Sequence, residues 1–284
     1  MKRSYNNAIR SVTLPLILAT VLFSTSPSFC GPIHDAAKAG NLARVRALLK
    51  GNPRLVFSKN SEGDTPLHLA VAFSHKDVAE LLIAYHADVN AKGKYEETPL
   101  FDCADEALAR LLLAHKGRVN VKGSYGETPL LSVMTTDSKI VALFLLANKA
   151  DGRATDKNGT TTMHEAASHG WVDVANILLA QKAAINVKDV NGWTPLHNAV
   201  REGHLAMTKW LIAHNADVNA KTNDGRTPLL VAAECGFKDV QILLVTSNAD
   251  VNVRNMDGAT AESIAVERYE MDLAKLIHEH AQHK

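Results

Sequence analysis

The sequence predicts an all-α repeat solenoid of stacked helix-turn-helix units, each with a projecting β-hairpin tip. Three observations carry this expectation. A Thr-Pro pair or its variant recurs at Thr65, Thr98, Thr128, Thr161, Thr194, Thr227 and Thr260, at spacings of 33, 30, 33, 33, 33 and 33 residues. Gly159, Gly192, Gly225 and Gly258 keep the same step, as do endings of the Asp-Val-Asn kind at Asn90, Asn186, Asn219 and Asn252. Each repeat holds two apolar stretches too short to bury themselves, so neighbouring units must lean on one another.

The chain opens with a segment of different character. Residues 1–10 carry three basic side chains and no acidic one, 12–23 is a mostly apolar run, and 24–30 is small and polar, the layout of a secretory signal. Twelve helical residues rise about 18 Å against a hydrocarbon core of roughly 30 Å, and Pro15 weakens a long helix, so a cleaved signal is expected rather than a spanning anchor. Ser26 and Ser28 suit a cut before Phe29, which makes 1–28 the cleavable signal peptide; Ser28 and Cys30 would allow one before Gly31. Lipidation of Cys30 is the rival reading, and bulky Phe29 stands where a lipoprotein signal has a small residue. The expected destination is periplasmic or secreted, and the expected mature domain is a single solenoid over 32–284.

That domain divides into about eight units. The first, 32–60, is cap-like, with Ile33-His34-Asp35-Ala36 in the place of the repeated signature. The unit at 192–224 shows the local logic. Thr194 is a favoured N-cap and Pro195 suits the first helical turn, where its missing N–H is unneeded. The helix should run to about Arg201 and stop at Glu202-Gly203, and a second should span 205–214 with Met207, Trp210 and Leu211 on one apolar face. Asn223-Asp224-Gly225 then reads as a hairpin tip. The third unit, near 96–125, lacks three residues between Ala104 and Asp105, which predicts a tighter turn between its two helices. The last, 258–284, replaces the signature by Ala259-Thr260-Ala261-Glu262-Ser263 and, with Glu267, Arg268, Glu270 and Asp272, reads as a polar cap.

The signatures stand as Thr65-Pro66-Leu67-His68-Leu69-Ala70 and Thr194-Pro195-Leu196-His197-Asn198-Ala199, with a looser Thr161-Thr162-Met163-His164-Glu165-Ala166. On these residues and the 33-residue period the chain resembles the ankyrin-repeat family from about Pro32 onward. The resemblance implies a helical solenoid that binds another protein. It also implies that the imidazoles of His34, His68, His164 and His197 hydrogen-bond backbone between adjacent units.

Composition narrows the function further. The chain carries 31 Lys+Arg interleaved with 30 Asp+Glu, and losing Lys2, Arg3 and Arg10 with the signal would leave a net charge near −2, against the basic stripe that nucleic-acid binding requires. Three cysteines with no CxxC pair exclude a disulfide scaffold. A histidine repeated once per unit does not converge on one metal, and no phosphate loop, nucleophile elbow or HExxH stretch occurs, so neither cofactor nor catalysis is expected.

Residues demanded by stacking repeat in every unit; those that vary at tips and inner helix ends are free for recognition. Aromatic and arginine side chains dominate binding energetics. The candidate partner-binding residues are therefore Phe73, Lys94, Tyr95, Tyr125, His169, Trp193, Arg201 and Arg226. Lys94-Tyr95 and Tyr125 lie on adjacent tips flanking the shortened unit, which marks units two to four as the docking region. Trp171, at a helix start, and Trp210, on a packing face, are left out. The expected function is an exported, monomeric interaction scaffold that binds a partner protein through its concave face and hairpin tips, an accessory to a periplasmic enzyme or a secreted effector; the alternative is a small-ligand or metal carrier using histidine and the free thiols of Cys103 and Cys235.

Overall fold

The computed structural model describes residues 31–282, so the expected signal peptide lies outside the described residues. Among them are fifteen α-helices: α1 Pro32–Lys38, α2 Leu42–Gly51, α3 Pro66–Ala72, α4 Lys76–Ala84, α5 Glu106–Ala114, α6 Pro129–Thr135, α7 Lys139–Ala147, α8 Thr162–Ser168, α9 Val172–Ala180, α10 Pro195–Arg201, α11 Leu205–Ala213, α12 Pro228–Cys235, α13 Lys238–Thr246, α14 Ala261–Glu267 and α15 Met271–Gln282. They pack in two rows. The second helices of the units, α2, α4, α5, α7, α9, α11, α13 and α15, each touch the next without a break. The first helices form a parallel row through α1 and α3 and again from α6 to α14.

The break between α3 and α6 corrects the reading of unit three. The missing residues do not tighten a turn between two helices; they remove the first helix, and residues 99–102 form turns instead. Leu100, Phe101 and Cys103 fill the vacated layer with buried side chains, so Cys103 belongs to no helix. Phe101 stands at the register that holds histidine in the units of His68, His164 and His197, and it is buried.

Helix starts follow the repeated Thr. In three units the same histidine completes the cap. His68 Nδ1 accepts from Thr65 N at 3.1 Å, His164 Nδ1 from Thr161 N at 3.2 Å and His197 Nδ1 from Thr194 N at 3.2 Å. An Nδ1 that accepts leaves the proton on Nε2, which donates to the next unit's carbonyl: Glu97 at 3.2 Å, Trp193 at 3.1 Å and Arg226 at 3.3 Å. The imidazoles of His68, His164 and His197 therefore rivet unit to unit, as the resemblance implied, whereas His34 Nε2 reaches Ser58 O at 3.2 Å within the first unit.

A second ladder joins the far ends of the units. Asn90, Asn120, Asn186 and Asn219 each donate through Nδ2 to a carbonyl of the following unit and accept through Oδ1 from one of its N–H groups. Where Arg153 breaks the series, Gln181 Oε1 accepts from Gly152 N at 2.7 Å and supplies the missing link.

The tips are hydrogen-bonded turns rather than extended ribbons. Among the described residues the only bridge pairs Thr155 with Thr161. At most tips an Asn or Asp side chain accepts from two backbone N–H groups, as Asp189 Oδ1 does from Asn191 and Trp193 at 2.8 Å each. Gly192 follows at φ +80°, and a Cβ there would sit 2.7 Å from Asn223 N, so only glycine permits this approach of neighbouring tips.

One buried position violates the packing logic. The second helices bury a small side chain at Ala79, Ala109, Ala142, Ala175 and Ala274; in α11 it is Thr208, whose hydroxyl donates to His204 O at 3.0 Å. In α13 it is Gln241, fully buried, with neither amide atom hydrogen-bonded. A buried unsatisfied amide costs about 1–3 kcal/mol. Gln241→Met keeps the volume and removes that cost, so its melting temperature should exceed that of the wild type by roughly 2–4 °C in a thermal scan; an unchanged or lower value would mean that the amide has a partner in solution.

The last unit is mixed. Glu267, Arg268 and Asp272 are exposed, and so are Val266, Tyr269 and Met271 beside them.

Candidate partner-binding surface

Tips and first-helix ends lie along one side of the stack. From unit three to unit seven each tip is joined to the next through backbone: Ser124 N donates to Tyr95 O at 2.6 Å, Lys157 N to Tyr125 O at 2.7 Å, Val190 N to Asn158 O at 2.8 Å and Asn223 N to Asn191 O at 2.9 Å. The side chains carried there are thus held at fixed intervals.

The eight candidates fall into four places. Lys94, Tyr95 and Tyr125 come together. The two tyrosine rings lie 5.4 Å apart, tilted by 56°, while remaining 37% and 53% exposed. Lys94 Nζ sits 5.1 Å above the Tyr95 ring and 2.9 Å from Glu62 Oε2, and this hydrogen bond with Glu62 raises the Lys94 pKa. Tyr95 and Glu96 both take positive φ, 55° and 62°, so the tip turns sharply and presents the ring outward.

Trp193, Arg201 and Arg226 form a second group. The guanidinium carbons of Arg201 and Arg226 lie 5.1 Å and 5.4 Å from the Trp193 ring centre. Arg226 also pairs with Asp224 at 2.6 Å and Glu234 at 3.5 Å, and Arg201 with Glu202 at 2.9 Å. Close by, burial and the charge of Asp156, opposed by Arg201, push Glu165 up to about 7.

Phe73 and His169 stand apart from both groups. Phe73 is exposed under Lys38, 5.1 Å from its ring centre. His169 stacks on Trp171 at 4.5 Å and faces Asp137 at 3.4 Å. The two excluded tryptophans are structural: Trp171 is a buried N-cap, and half-buried Trp210 donates to Asn176 Oδ1 at 2.9 Å.

Sequence reasoning missed a set of carboxylates at the tips of units two to four. The residue before each repeated Thr reads Asp64, Glu97, Glu127, Thr160, Trp193, Arg226 and Ala259 along the chain. The first three are acidic, Asp102 joins them from the turn of unit three, and burial together with Asp102 and Glu127 pushes Glu97 up to about 8. Reading that one column of the repeat would have exposed the pattern.

The groups on which a carrier of metal or small ligands would depend are otherwise engaged. The signature histidines bond backbone on both ring nitrogens at His68, His164 and His197. Burial pushes the Cys103 thiol up to about 12 and also raises that of half-buried Cys235. Among the described residues no three His, Cys, Asp or Glu side chains are gathered to hold a metal ion, and no helix is long and apolar enough to cross a membrane.

Fold and surface together define a helical repeat solenoid whose repeated geometry is internal and whose side chains that differ from unit to unit stand at the tips. A sequence profile of ankyrin repeats in three copies matches residues 19–93, 131–222, 173–255 and 210–284. The chain belongs to the ankyrin-repeat family. It is 31% identical over 105 residues to ankyrin repeat domain-containing protein 13C of Xenopus tropicalis, covering 34% of this chain and 20% of that protein. It is 39% identical over 66 residues to the serine/threonine-protein kinase VIK of Arabidopsis thaliana, covering 23% and 15%. With a transient receptor potential cation channel subfamily A member 1 homolog of Caenorhabditis elegans it shares 38% identity over 68 residues, covering 24% and 6%. The chain thus spans a fifth or less of the length of these relatives, and the likeness lies in the repeats. Ankyrin repeats serve protein–protein interaction, and that role holds for this chain at the same general level.

Proposed function

We propose that this protein is an exported, monomeric and non-catalytic scaffold that binds a partner protein across its tips and first-helix ends, with Tyr95 and Tyr125 as the principal anchors. It would act as an accessory to a periplasmic enzyme or as a secreted effector. The observation that carries the reading is the Tyr95–Tyr125 pair: two large rings packed against each other, held by a backbone hydrogen bond between tips, yet open to solvent. Rigid exposed aromatics lose little entropy on binding and supply most interface energy. The signal-like layout of residues 1–28 supports export.

The test is affinity capture of the partner from the native exported fraction, followed by titration with Tyr95→Ala and Tyr125→Ala. Each substitution should weaken binding by more than about 1 kcal/mol, roughly fivefold or more, because each removes a ring from the centre of the interface. Thermal stability should stay nearly constant, since neither ring is buried. Full affinity in both variants would refute the assignment of the anchors.

A further inference from the structure

The two ends of the stack are opposite in charge. Between Ala36 and Ser61 stand Lys38, Arg44, Arg46, Lys50, Arg54 and Lys59 with no acidic residue, whereas from Asp257 to Gln282 six acidic residues outnumber Arg268 and Lys275. Lys38 covers the Phe73 ring and Lys59 Nζ donates to Lys92 O, so these two serve their own stack. Arg44, Arg46, Lys50 and Arg54 are exposed, as are Glu267 and Asp272 at the other end. Among the described residues none of these six is in an ion pair.

Each end also shows a register that interior units bury. Three residues past the N-cap of a second helix, the side chain is apolar and buried in every unit after the first, from Val78 in α4 to Leu273 in α15; in α2 it is Arg44. Leu273 is buried although it lies in the last unit, so this register is covered from the side of the preceding unit. Six residues past the repeated Thr, Val71, Met134, Ala167, Val200 and Ala233 are fully buried, while Val266 is 45% exposed. Ala37 holds the same register in the first unit and is buried, so here the cover comes from the following unit. Close to Val266 in the chain, Tyr269 and Met271 are 86% and 53% exposed, with Glu267 and Asp272 among them.

We propose that the acidic, apolar end of one copy docks the basic first unit of a second copy, so that α2 of the second continues the row of second helices after α15 of the first. The two faces complement each other in charge and in kind: arginine stems cover apolar surface, and a guanidinium group both pairs with a carboxylate and lies over an aromatic ring. Because the two faces differ, the contact has no two-fold symmetry and copies add in a row. A single end face is small, so the contact is weak and the chain stays single in dilute solution, as in the function proposed above. The tyrosine anchors lie along the side of the stack and have no part in it.

Sedimentation velocity of the purified protein tests the contact at about 1 µM and about 100 µM, in roughly 20 mM and roughly 500 mM salt. At the higher concentration and low salt, the weight-average mass should be at least about 1.5 times that of the single chain, and high salt should return it to the single-chain value. Arg44→Glu with Arg46→Glu, and separately Glu267→Lys with Asp272→Lys, should each leave only single chains. Mixed in equal amounts, the two reversed proteins should associate again, because each end then finds an end of opposite charge. All four side chains are exposed and outside ion pairs, so each reversed protein should melt within about 2 °C of the wild type. Should a reversed pair fail to fold, Tyr269→Ser decides, since loss of the exposed ring alone should weaken association at least about threefold. A wild type that stays single at low salt, association that survives either reversal or the loss of Tyr269, or a mixture that stays single would each overturn the proposal.

Discussion

A Leu112→Ala chain is expected to unfold in two steps, with the units before α5 melting apart from those after it. Stability in a stacked repeat is a sum of unit terms and nearest-neighbour contacts, and cooperativity lasts only while those contacts hold. At unit three the first-helix row is interrupted, and continuity rests on α5 packing against α4 and α7. Leu112 is fully buried in that packing, together with Leu108 and Ala109. Truncating a buried leucine costs about 3–5 kcal/mol, and here the loss falls on the contact that joins the two halves. The matched substitution Leu178→Ala in α9 should lower stability comparably but leave one transition, because α8 still packs on α6 and α10 alongside.

The chain provides its own reporters for this experiment. Trp171, Trp193 and Trp210, its three tryptophans, all lie after the break, so fluorescence follows the later units while far-ultraviolet circular dichroism follows every helix. Guanidinium curves from the two probes should separate for Leu112→Ala and coincide for Leu178→Ala. Coincident curves for both would mean that the turn at 99–102 couples the halves as well as a helix does.

The second large effect is acid sensitivity. His197 Nδ1 accepts a hydrogen bond from Thr194 N, so a proton placed there would face an N–H donor, and burial already opposes the charge. Burial, resisted by the bond to Arg226 O, lowers His197 from 6.5 to about 4. His68 and His164 are lowered for the same first reason. Below 6.5 the unfolded chain takes up protons that the folded chain refuses, so this contribution to stability is complete above 6.5 and is lost as pH falls toward 4. For His197 alone the loss amounts to about 3 kcal/mol.

Glu97 and Glu165, whose pKa values are raised, act in the opposite sense over part of this range, so the check is a difference rather than a single curve. The repeat itself suggests the comparison, because Leu230 occupies the equivalent position in the unit of α12. His197→Leu should be less stable than the wild type at pH 7, and the gap should narrow as pH falls from 6.5 to 4, read from urea midpoints. A gap independent of pH would show that His197 titrates in the folded chain as it does in the unfolded one.

Several features were legible because one residue type does one local job. Thr before Pro caps and starts a helix wherever it stands; Gly at a tip permits positive φ; an imidazole at the third helical position reaches back to the cap and forward to the next unit. These bonds span short distances set by the 33-residue step, so repetition in sequence becomes repetition in space. The side-chain groups were legible only in part. Tyr95 and Tyr125 were placed on adjacent tips correctly, whereas nothing local announces that Arg201 and Arg226 share one tryptophan, since their meeting depends on how far one unit is rotated on the next.

The sequence by itself determined that the chain is a stack of ankyrin-type units, where each begins, and which positions are free to vary, because caps, turns and apolar periodicity are properties of a few consecutive residues. Only the tertiary structure decided what the short unit does with its deficit, leaving α5 without its companion, and that Arg201 and Arg226 converge on the ring of Trp193. Both outcomes turn on packing between units. Three missing residues can be absorbed by a turn or by a helix, and the choice falls to whichever leaves Leu100, Phe101 and Cys103 buried against the layers on either side.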